Sequence, residues 1–539
     1  MTDLSRVFRA SVIGALFLYS IPAIGSAQSI PAKPVPADEA CSQAAEKLGI
    51  TSDGTIFVSR FALTGNTVFP EADLHALISS WEDKKLTIKD ICSVLNKIKG
   101  HYQAAGYPYA GVVIPPQQME ESGILRLNIL EGRVNSIKIQ GNRRYSSGFI
   151  RGLLGDMAPG QIVSMKAYQK GAVLLNTTPG IKAQVAVQPA GPENGLFDVL
   201  VQISEEQLQG SISTDNNIRS EFGTWQAKFH VDLYNPSGRG DRLSVEPSIR
   251  EHKVPNGILL DYKMPVGRQG TSLQVMFLKA NFQFLTNSPL MGLQNDVTYT
   301  IFQVNHPLKL SFQKNILFSV GALRVTSRYL MTGSFNMLET VYLLTSSVIY
   351  MQGQPGKAMT NAFAQFSTNF RRNPDGLRNN AEPARLDLVG GHERWFKPNL
   401  SLFLFGIGIL SLDPLLSSQK VIIGGPYCVR GFGVNEAMGD QGYLVKAELR
   451  RQLQLPRRNS ITFRTTLDHG SVYRRFPDPM ATVPDTELKD HLFSAGLGLT
   501  AKLLDHLQVS IDWSHPLNDH PIRDRKYAGR FWWGLSASF

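Results

Sequence analysis

The chain lacks the residue patterns that catalysis would need. It has no Cys-x-x-Cys, no His-Glu-x-x-His, no Gly-x-Ser-x-Gly elbow, no Gly-x-x-x-x-Gly-Lys phosphate loop and no histidines at metal-ligand spacing. No catalytic residue, metal or cofactor is therefore expected. Paired carboxylates such as Glu120-Glu121 and Glu205-Glu206 are neighbours in sequence and read as solvated turn charges. Cysteine is scarce, at three residues in 539. Beyond the N-terminus no run reaches the roughly 18 apolar residues that a membrane-crossing helix requires, which excludes a helical membrane protein. The net charge of +11 does not indicate nucleic acid, because the basic residues are scattered instead of bunched with aromatics. An anionic membrane surface or a charged channel wall suits that distribution better.

An export signal stands at the start. Arg6 and Arg9 form a basic end, Ala10 to Ile24 an apolar stretch, and Gly25-Ser26-Ala27 a small-residue cleavage site, so residues 1–27 read as a signal peptide. Residues 28–54 follow as a proline-rich linker with a short helix carrying Cys41. In an oxidising compartment Cys41 and Cys92 are the candidate disulfide, closing a loop of about fifty residues worth roughly 4 kcal/mol. Cys428 reads as a small buried residue.

Two modules of similar layout come next. The first, 55–132, opens with a strand from Phe57 to Leu63 and a Gly65-Asn66 turn. Helices follow around Glu71 to Ser80 and Ile88 to Ala105, then strands near Gly111 to Ile114 and Leu125 to Leu130. The second, 133–206, repeats the order: a strand from Val134 to Ile139, a Gly141-Asn142 turn, helices Ser147 to Leu154 and Met165 to Asn176, and strands Ile181 to Gln188 and Phe197 to Ser204. A repeat of about seventy residues is more telling than either copy.

From residue 207 to 539 helical periodicity vanishes. Segments of about ten residues alternate polar and apolar side chains between turns, and about sixteen can be counted, as a transmembrane antiparallel β-barrel requires. Leu507, Val509, Ile511 and Trp513 interleave with Gln508, Ser510, Asp512 and Ser514. A soluble sandwich would need a second sheet over each apolar face; lipid covers it here. The last strand places Phe531, Trp533, Leu535 and the terminal Phe539 on one face, and Trp533, Leu535 and Phe539 form an expected C-terminal signal to the barrel-assembly machinery.

A glycine-rich segment of about thirty residues, 413–442, interrupts the alternation and is expected to have no secondary structure of its own, a length that usually means function. It contains Val429-Arg430-Gly431-Phe432, in which Gly431 would allow a sharp reversal. On the strand from Ser460 to Gly470, Thr462, Arg464, Thr466 and Asp468 share the inward face. On the strand before it, Lys446, Glu448 and Arg450 do. Asp468, Glu448 and Gly470 are the expected wall contacts of the loop, and an arginine's planar fork suits a carboxylate there.

In this order the motifs resemble the outer-membrane transporters of two-partner secretion, the TpsB or haemolysin and filamentous-haemagglutinin secretion family. The carriers are Gly65-Asn66-Thr67-Val68-Phe69, Gly106-Tyr107, Pro115-Pro116-Gln117 and Leu130-Glu131-Gly132. Further on stand Asp215-Asn216, Asn235-Pro236 through Gly240-Asp241, Gly424-Gly425, Val429 to Phe432, Gly439-Asp440-Gln441-Gly442 and Glu448. The resemblance implies two polypeptide-transport-associated (POTRA) domains in the periplasm, α+β in class, before a barrel of sixteen strands. It also implies a sixth extracellular loop folded into the lumen, its arginine meeting an aspartate on the wall.

The implied function is a pore that secretes an exported, unfolded partner of haemolysin or adhesin type, acting as a monomer in outer-membrane lipid without nucleic acid. The partner would add as a strand to an exposed POTRA edge, Ile181 to Gln188 beside the helix Met165 to Asn176. The alternative within the superfamily is a barrel-assembly factor. A passive porin and an outer-membrane enzyme are the remaining rivals; the two modules argue against the first and the missing motifs against the second. Some family members carry an N-terminal plug helix, for which the dozen proline-rich residues here leave little room.

Overall fold

The computed structural model describes residues 54–117, 123–191, 195–218, 224–251, 253–283, 293–331, 335–369, 384–412, 415, 419–474, 489–518 and 529–539. The candidate leader, the proline-rich linker and Cys41 lie outside them, and with Cys41 the candidate disulfide. The described residues form two compact units that divide in sequence between Glu205 and Glu206.

The N-terminal unit contains the two modules. In the first, β1 (Thr55–Val58) pairs with β3 (Lys84–Thr87), while β2 (Arg60–Thr64), β5 (Ile124–Leu130) and β4 (Gly111–Val113) form a mixed three-stranded sheet in that order. Helices α1 (Glu71–Ile78) and α2 (Ile88–Ala104) accompany it. Thr87 and Asp90 make a reciprocal capping box that fixes where α2 begins. Ile91, Val94, Leu95, Ile98 and Tyr102 then recur at helical spacing, and all are buried in the module's core. In the second module β6 (Arg133–Gln140), β8 (Leu196–Glu205) and β7 (Ile181–Pro189) form the sheet, with α3 (Ser147–Leu153) and α4 (Met165–Thr177).

The repeat has a physical core that the two copies share. Gly65 and Gly141 both turn the chain at positive φ (83° and 87°), each with an opposing carbonyl, of Ile129 or Ile203, where a side chain would stand. The side-chain carboxamide of the next residue, Asn66 or Asn142, donates to the carbonyl of Phe69 or Tyr145. A glutamate near the end of the sheet's central strand then collects the turn's free amides. Glu131 accepts from Thr67 N–H (2.5 Å) and Val68 N–H (2.7 Å), and Glu205 from the N–H groups of Arg143, Arg144 and Tyr145 at 2.9–3.1 Å. The Tyr102 hydroxyl also donates to Glu131. Burial opposes the Glu131 charge, but these hydrogen bonds outweigh it and hold the carboxyl below the usual range. The modules are also tied to one another: Met165 N–H donates to the Gly106 carbonyl (2.8 Å), Arg133 to Thr67 Oγ1 (3.1 Å), and the Tyr109 and Phe197 rings lie 4.8 Å apart.

The second unit is a closed antiparallel barrel of sixteen strands, each paired with the next in sequence, from Leu208–Asp215 round to Arg530–Ser538. An even number lets the last strand meet the first antiparallel. Alternation is inside-out relative to a soluble protein: Phe302, Val304, Leu388, Leu404, Phe463 and Leu497 are exposed on the outer face, while Gln274, Gln303, Ser347, Gln365 and Ser494 are buried inside. Several strands are much longer than ten residues, reaching Lys314–Met331 and Phe335–Gln354. The inner face is not uniformly polar either. Tyr299, Ile301, Leu323, Val341 and Phe405 face inward and join one apolar cluster with residues of the segment that follows Ser411.

The closing seam is short. The strands Arg530–Ser538 and Leu208–Asp215 pair at five positions, against eighteen between Lys314–Met331 and Phe335–Gln354. Two additions extend it. Main-chain bonds of 3.0 Å in each direction join Phe539 and Gly210, and the Asn216 carboxamide bonds Phe531 C=O (2.9 Å) and Trp533 N–H (2.8 Å) as a further residue of strand would. Phe531, Leu535 and Phe539 are exposed on the outer face and Trp533 is half-buried.

Candidate functional site

Between the strands Leu400–Ser411 and Gln441–Gln454 the chain turns back into the barrel. The segment has secondary structure of its own, contrary to the reading from sequence: Val421–Ile423 pairs antiparallel with Ala437–Gly439. Alternation failed to reveal this pair because each strand has only three residues and Ala437-Met438-Gly439 carries little β preference. Between them Gly424 and Gly425, at φ of 100° and 99°, and Asn435, at 60°, make the reversals. Val429 and Phe432 are buried with Ile423, Ala437, Leu444 and Val472 in the lumenal apolar cluster, so the tetrapeptide is held on both sides of its arginine.

That arrangement aims Arg430 at the wall. Asp468, 1% exposed, takes Arg430 Nε at 2.7 Å and Nη2 at 2.6 Å, a bidentate fork, together with the Arg430 main-chain N–H at 3.2 Å. The third guanidinium nitrogen, Nη1, lies 2.8 Å from Glu448 Oε1. Glu448 holds a second arginine, Arg450, at 2.6 Å, and the Arg450 guanidinium stacks over the Phe403 ring at 4.1 Å. The next pair along, Arg464 with Asp512, spans 2.9 Å. Each of the three carboxylates here, Asp468, Glu448 and Asp512, meets an arginine, which lowers the cost of burying these charges.

Several contacts were not legible from the motif. The Trp532 indole N–H donates to the Arg430 carbonyl (2.8 Å), and Ser494 Oγ accepts from Gly431 N–H (3.1 Å). Lys446 reaches the Tyr427 carbonyl and Asn217 the Tyr427 hydroxyl. Strand parity could have found Trp532, since Phe531 and Trp533 point outward and leave it facing the lumen. Two glycines have roles other than those expected. Gly431 is not in the left-handed region; a Cβ there would stand 2.6 Å from Ser494 Cβ and 2.8 Å from Pro516 N, so close approach to the wall, not a reversal, demands glycine. Gly470 makes no polar contact with the arginine and instead leaves room for the Val429 side chain. Chemically the site can hold a loop in one position; among the described residues no cluster could hold a metal ion.

The N-terminal edge on which partner addition was expected is partly occupied. Asn176 and Tyr168 of α4 bond the outward backbone groups of Ala183 and Val185 on β7.

Comparison with known proteins adds the following. Residues 56–132 match the POTRA domain, ShlB-type, and residues 407–501 match the haemolysin secretion/activation protein ShlB/FhaC/HecB. The chain is 22% identical over 485 residues to the heme/hemopexin transporter protein HuxB of Haemophilus influenzae, covering 87% of this chain and 84% of that one. It is 22% identical over 467 residues to the outer membrane transporter CdiB of Escherichia coli, covering 80% and 75%. In structure it resembles CdiB from Escherichia coli, with a TM-score of 0.79 at 17% identity over 100% of this chain and 99% of that one. CdiB from Acinetobacter baumannii gives 0.68 at 17% identity over 99% and 98%.

Proposed function

The chain belongs to the two-partner secretion transporters of the outer membrane, the TpsB family of ShlB/FhaC/HecB-type proteins, and on that premise we propose that it exports one large unfolded partner protein through its barrel. It is an outer-membrane transporter whose POTRA modules lie in the periplasm. The observation that carries the proposal is Arg430 held between Asp468 and Glu448 inside a closed barrel that follows two modules of repeated design.

In this reading the modules capture the partner by strand addition, which uses backbone hydrogen bonds and so tolerates an unfolded, sequence-diverse client. The folded-back loop occupies the lumen at rest, and the Arg430 contacts fix its register. A buried ion pair adds little net stability, yet releasing it exposes an unpaired charge; it therefore suits a lock better than a brace. No nucleotide is available outside the cytoplasm, so folding of the partner beyond the membrane supplies the direction of transport. The partner is of haemolysin or adhesin type.

Removing the second module, Val134 to Ser204, from the chain tests the capture step. The truncated chain is expected to insert and conduct ions but to leave the partner in the periplasm; undiminished secretion would remove the modules from the recognition step.

A further inference from the structure

Strand addition needs a free row of N–H and C=O groups, and β7 offers one only in part. Within β7 the outward row is set by Ala183, whose N–H and C=O both point away from β8. By alternation Val185 and Val187 share that direction, while Lys182, Gln184 and Ala186 bond inward. The Asn176 carboxamide takes both Ala183 groups, donating to its carbonyl and accepting from its N–H, each at 3.0 Å, and is itself steadied by a 2.9 Å bond to Ala172 C=O. Two residues on, the Tyr168 hydroxyl donates to the Val185 carbonyl at 2.8 Å, its ring buried at 7% exposure. Upstream, Ile181 N–H is bonded by the Thr178 carbonyl. Among the described residues nothing bonds the outward groups of Val187.

A side-chain carboxamide has the donor, the acceptor and the spacing of a peptide unit. Asn176 is in effect one residue of a missing fourth strand, supplied by the helix. The first module uses the same device differently: Gln117, after Pro115-Pro116 has ended β4, bonds Arg126 N–H (2.9 Å) and C=O (2.8 Å) on β5. There the carboxamide lengthens a strand pairing inside the sheet; in the second module it covers the outer edge.

We propose that Asn176 and Tyr168 set the register of partner docking, by closing the first half of the β7 edge and confining strand addition to Val185–Pro189. This rests on the reading that the modules capture the partner. The docking segment is an extended, unfolded stretch with neutral or acidic polar residues, because residues 133–205 carry eight arginines and lysines against four carboxylates. A short site of this kind favours weak, reversible capture, which a client that must move on into the pore requires, whereas a fully open edge would hold it longer.

The test uses the full chain in lipid vesicles and a synthetic peptide as long as β7, alternating valine with threonine and glutamate, read by amide hydrogen exchange. Without peptide, Ala183 N–H should be protected in the wild type and exchange roughly tenfold faster in Asn176→Ala, as loss of one hydrogen bond allows. Unchanged exchange would overturn the cap. With peptide, new protection should appear at the Val185 and Val187 N–H groups in the wild type; in Asn176→Ala it should spread to Ala183, and the peptide should bind roughly tenfold tighter through two further backbone hydrogen bonds. Tyr168→Phe, which keeps the ring and its packing, should free the Val185 carbonyl alone. A gain in Ala183 protection on adding peptide to the wild type would refute register control while leaving capture intact. Peptide protection on another strand edge of the modules would refute the proposal and leave capture intact, and no peptide protection anywhere in the modules would refute the capture reading and the proposal with it.

Discussion

Replacing Arg430 with alanine tests the lock directly. The substitution leaves Asp468, 1% exposed, with only the main-chain N–H of residue 430, while Glu448 keeps Arg450 at 2.6 Å. Breaking a buried pair by removing one partner costs about 3–5 kcal/mol, and because one of the two carboxylates retains its second arginine the lower figure applies, about 3 kcal/mol. Burial of Val429 and Phe432 still favours the docked loop by about 2 kcal/mol each. The balance leaves the loop docked but released about a hundred times more often.

Cys428 is a built-in reporter of that release. It is 3% exposed and adjacent to the tetrapeptide's first residue, so a thiol reagent reaches it only when the loop leaves its place. In a chain carrying Cys41→Ser and Cys92→Ser, maleimide labelling of Cys428 should be about a hundredfold faster in Arg430→Ala than in its parent. Arg430→Lys should fall between them, since an ammonium keeps the charge but not the fork. In cells, Arg430→Ala should insert its barrel normally and lose secretion. Labelling as slow as in the parent would refute the lock, because the arginine would then not hold the loop.

Gly431→Ala should accelerate Cys428 labelling even with Arg430 in place, because the new methyl meets Ser494 and the Pro516 main chain; parental labelling would show that the wall yields. Glu131→Gln should destabilise the periplasmic unit by about 1–3 kcal/mol at pH 7, measured by thermal unfolding. Its folded-state carboxyl titrates below the unfolded value of about 4.3, so its contribution is complete above that value and is lost as pH falls through the folded one. Wild type and variant should therefore converge in acid, and a gap independent of pH would contradict this. Asn216→Ala should weaken the barrel seam by about 1–2 kcal/mol, lowering the temperature at which folded barrel converts to unfolded on cold-gel electrophoresis. An unchanged conversion temperature would mean the five main-chain pairs suffice.

The barrel is legible because lipid imposes a period-two pattern that no soluble core imitates, and the same parity puts Asp468, Glu448 and Arg464 on the lumenal face, where all three are buried. What escaped has physical causes. Lys84-Lys85-Leu86-Thr87 forms β3, but a four-residue strand with two lysines next to a helix cap has no pattern to detect. The inner apolar stripe, with Ile301, Leu323 and Val341, blurs the alternation, because the returning loop, not water, covers it. In sequence Gly431 looks like a turn residue, because sequence reports only that a side chain is missing, not whether a dihedral or a neighbour requires it. Asn176, Gln117 and Asn216 bond strand backbones from positions that no periodicity marks, since any carboxamide at a helix end or in a loop looks the same until its neighbour is known.

Secretion of one particular protein and assembly of other barrels have different consequences in cells. The direct measurement compares the culture medium and the outer membranes of cells with and without the chain. The account predicts that one large exported protein disappears from the medium and accumulates in the periplasm while other outer-membrane barrels keep their levels. A general fall in those barrels, with no protein missing from the medium, would contradict it.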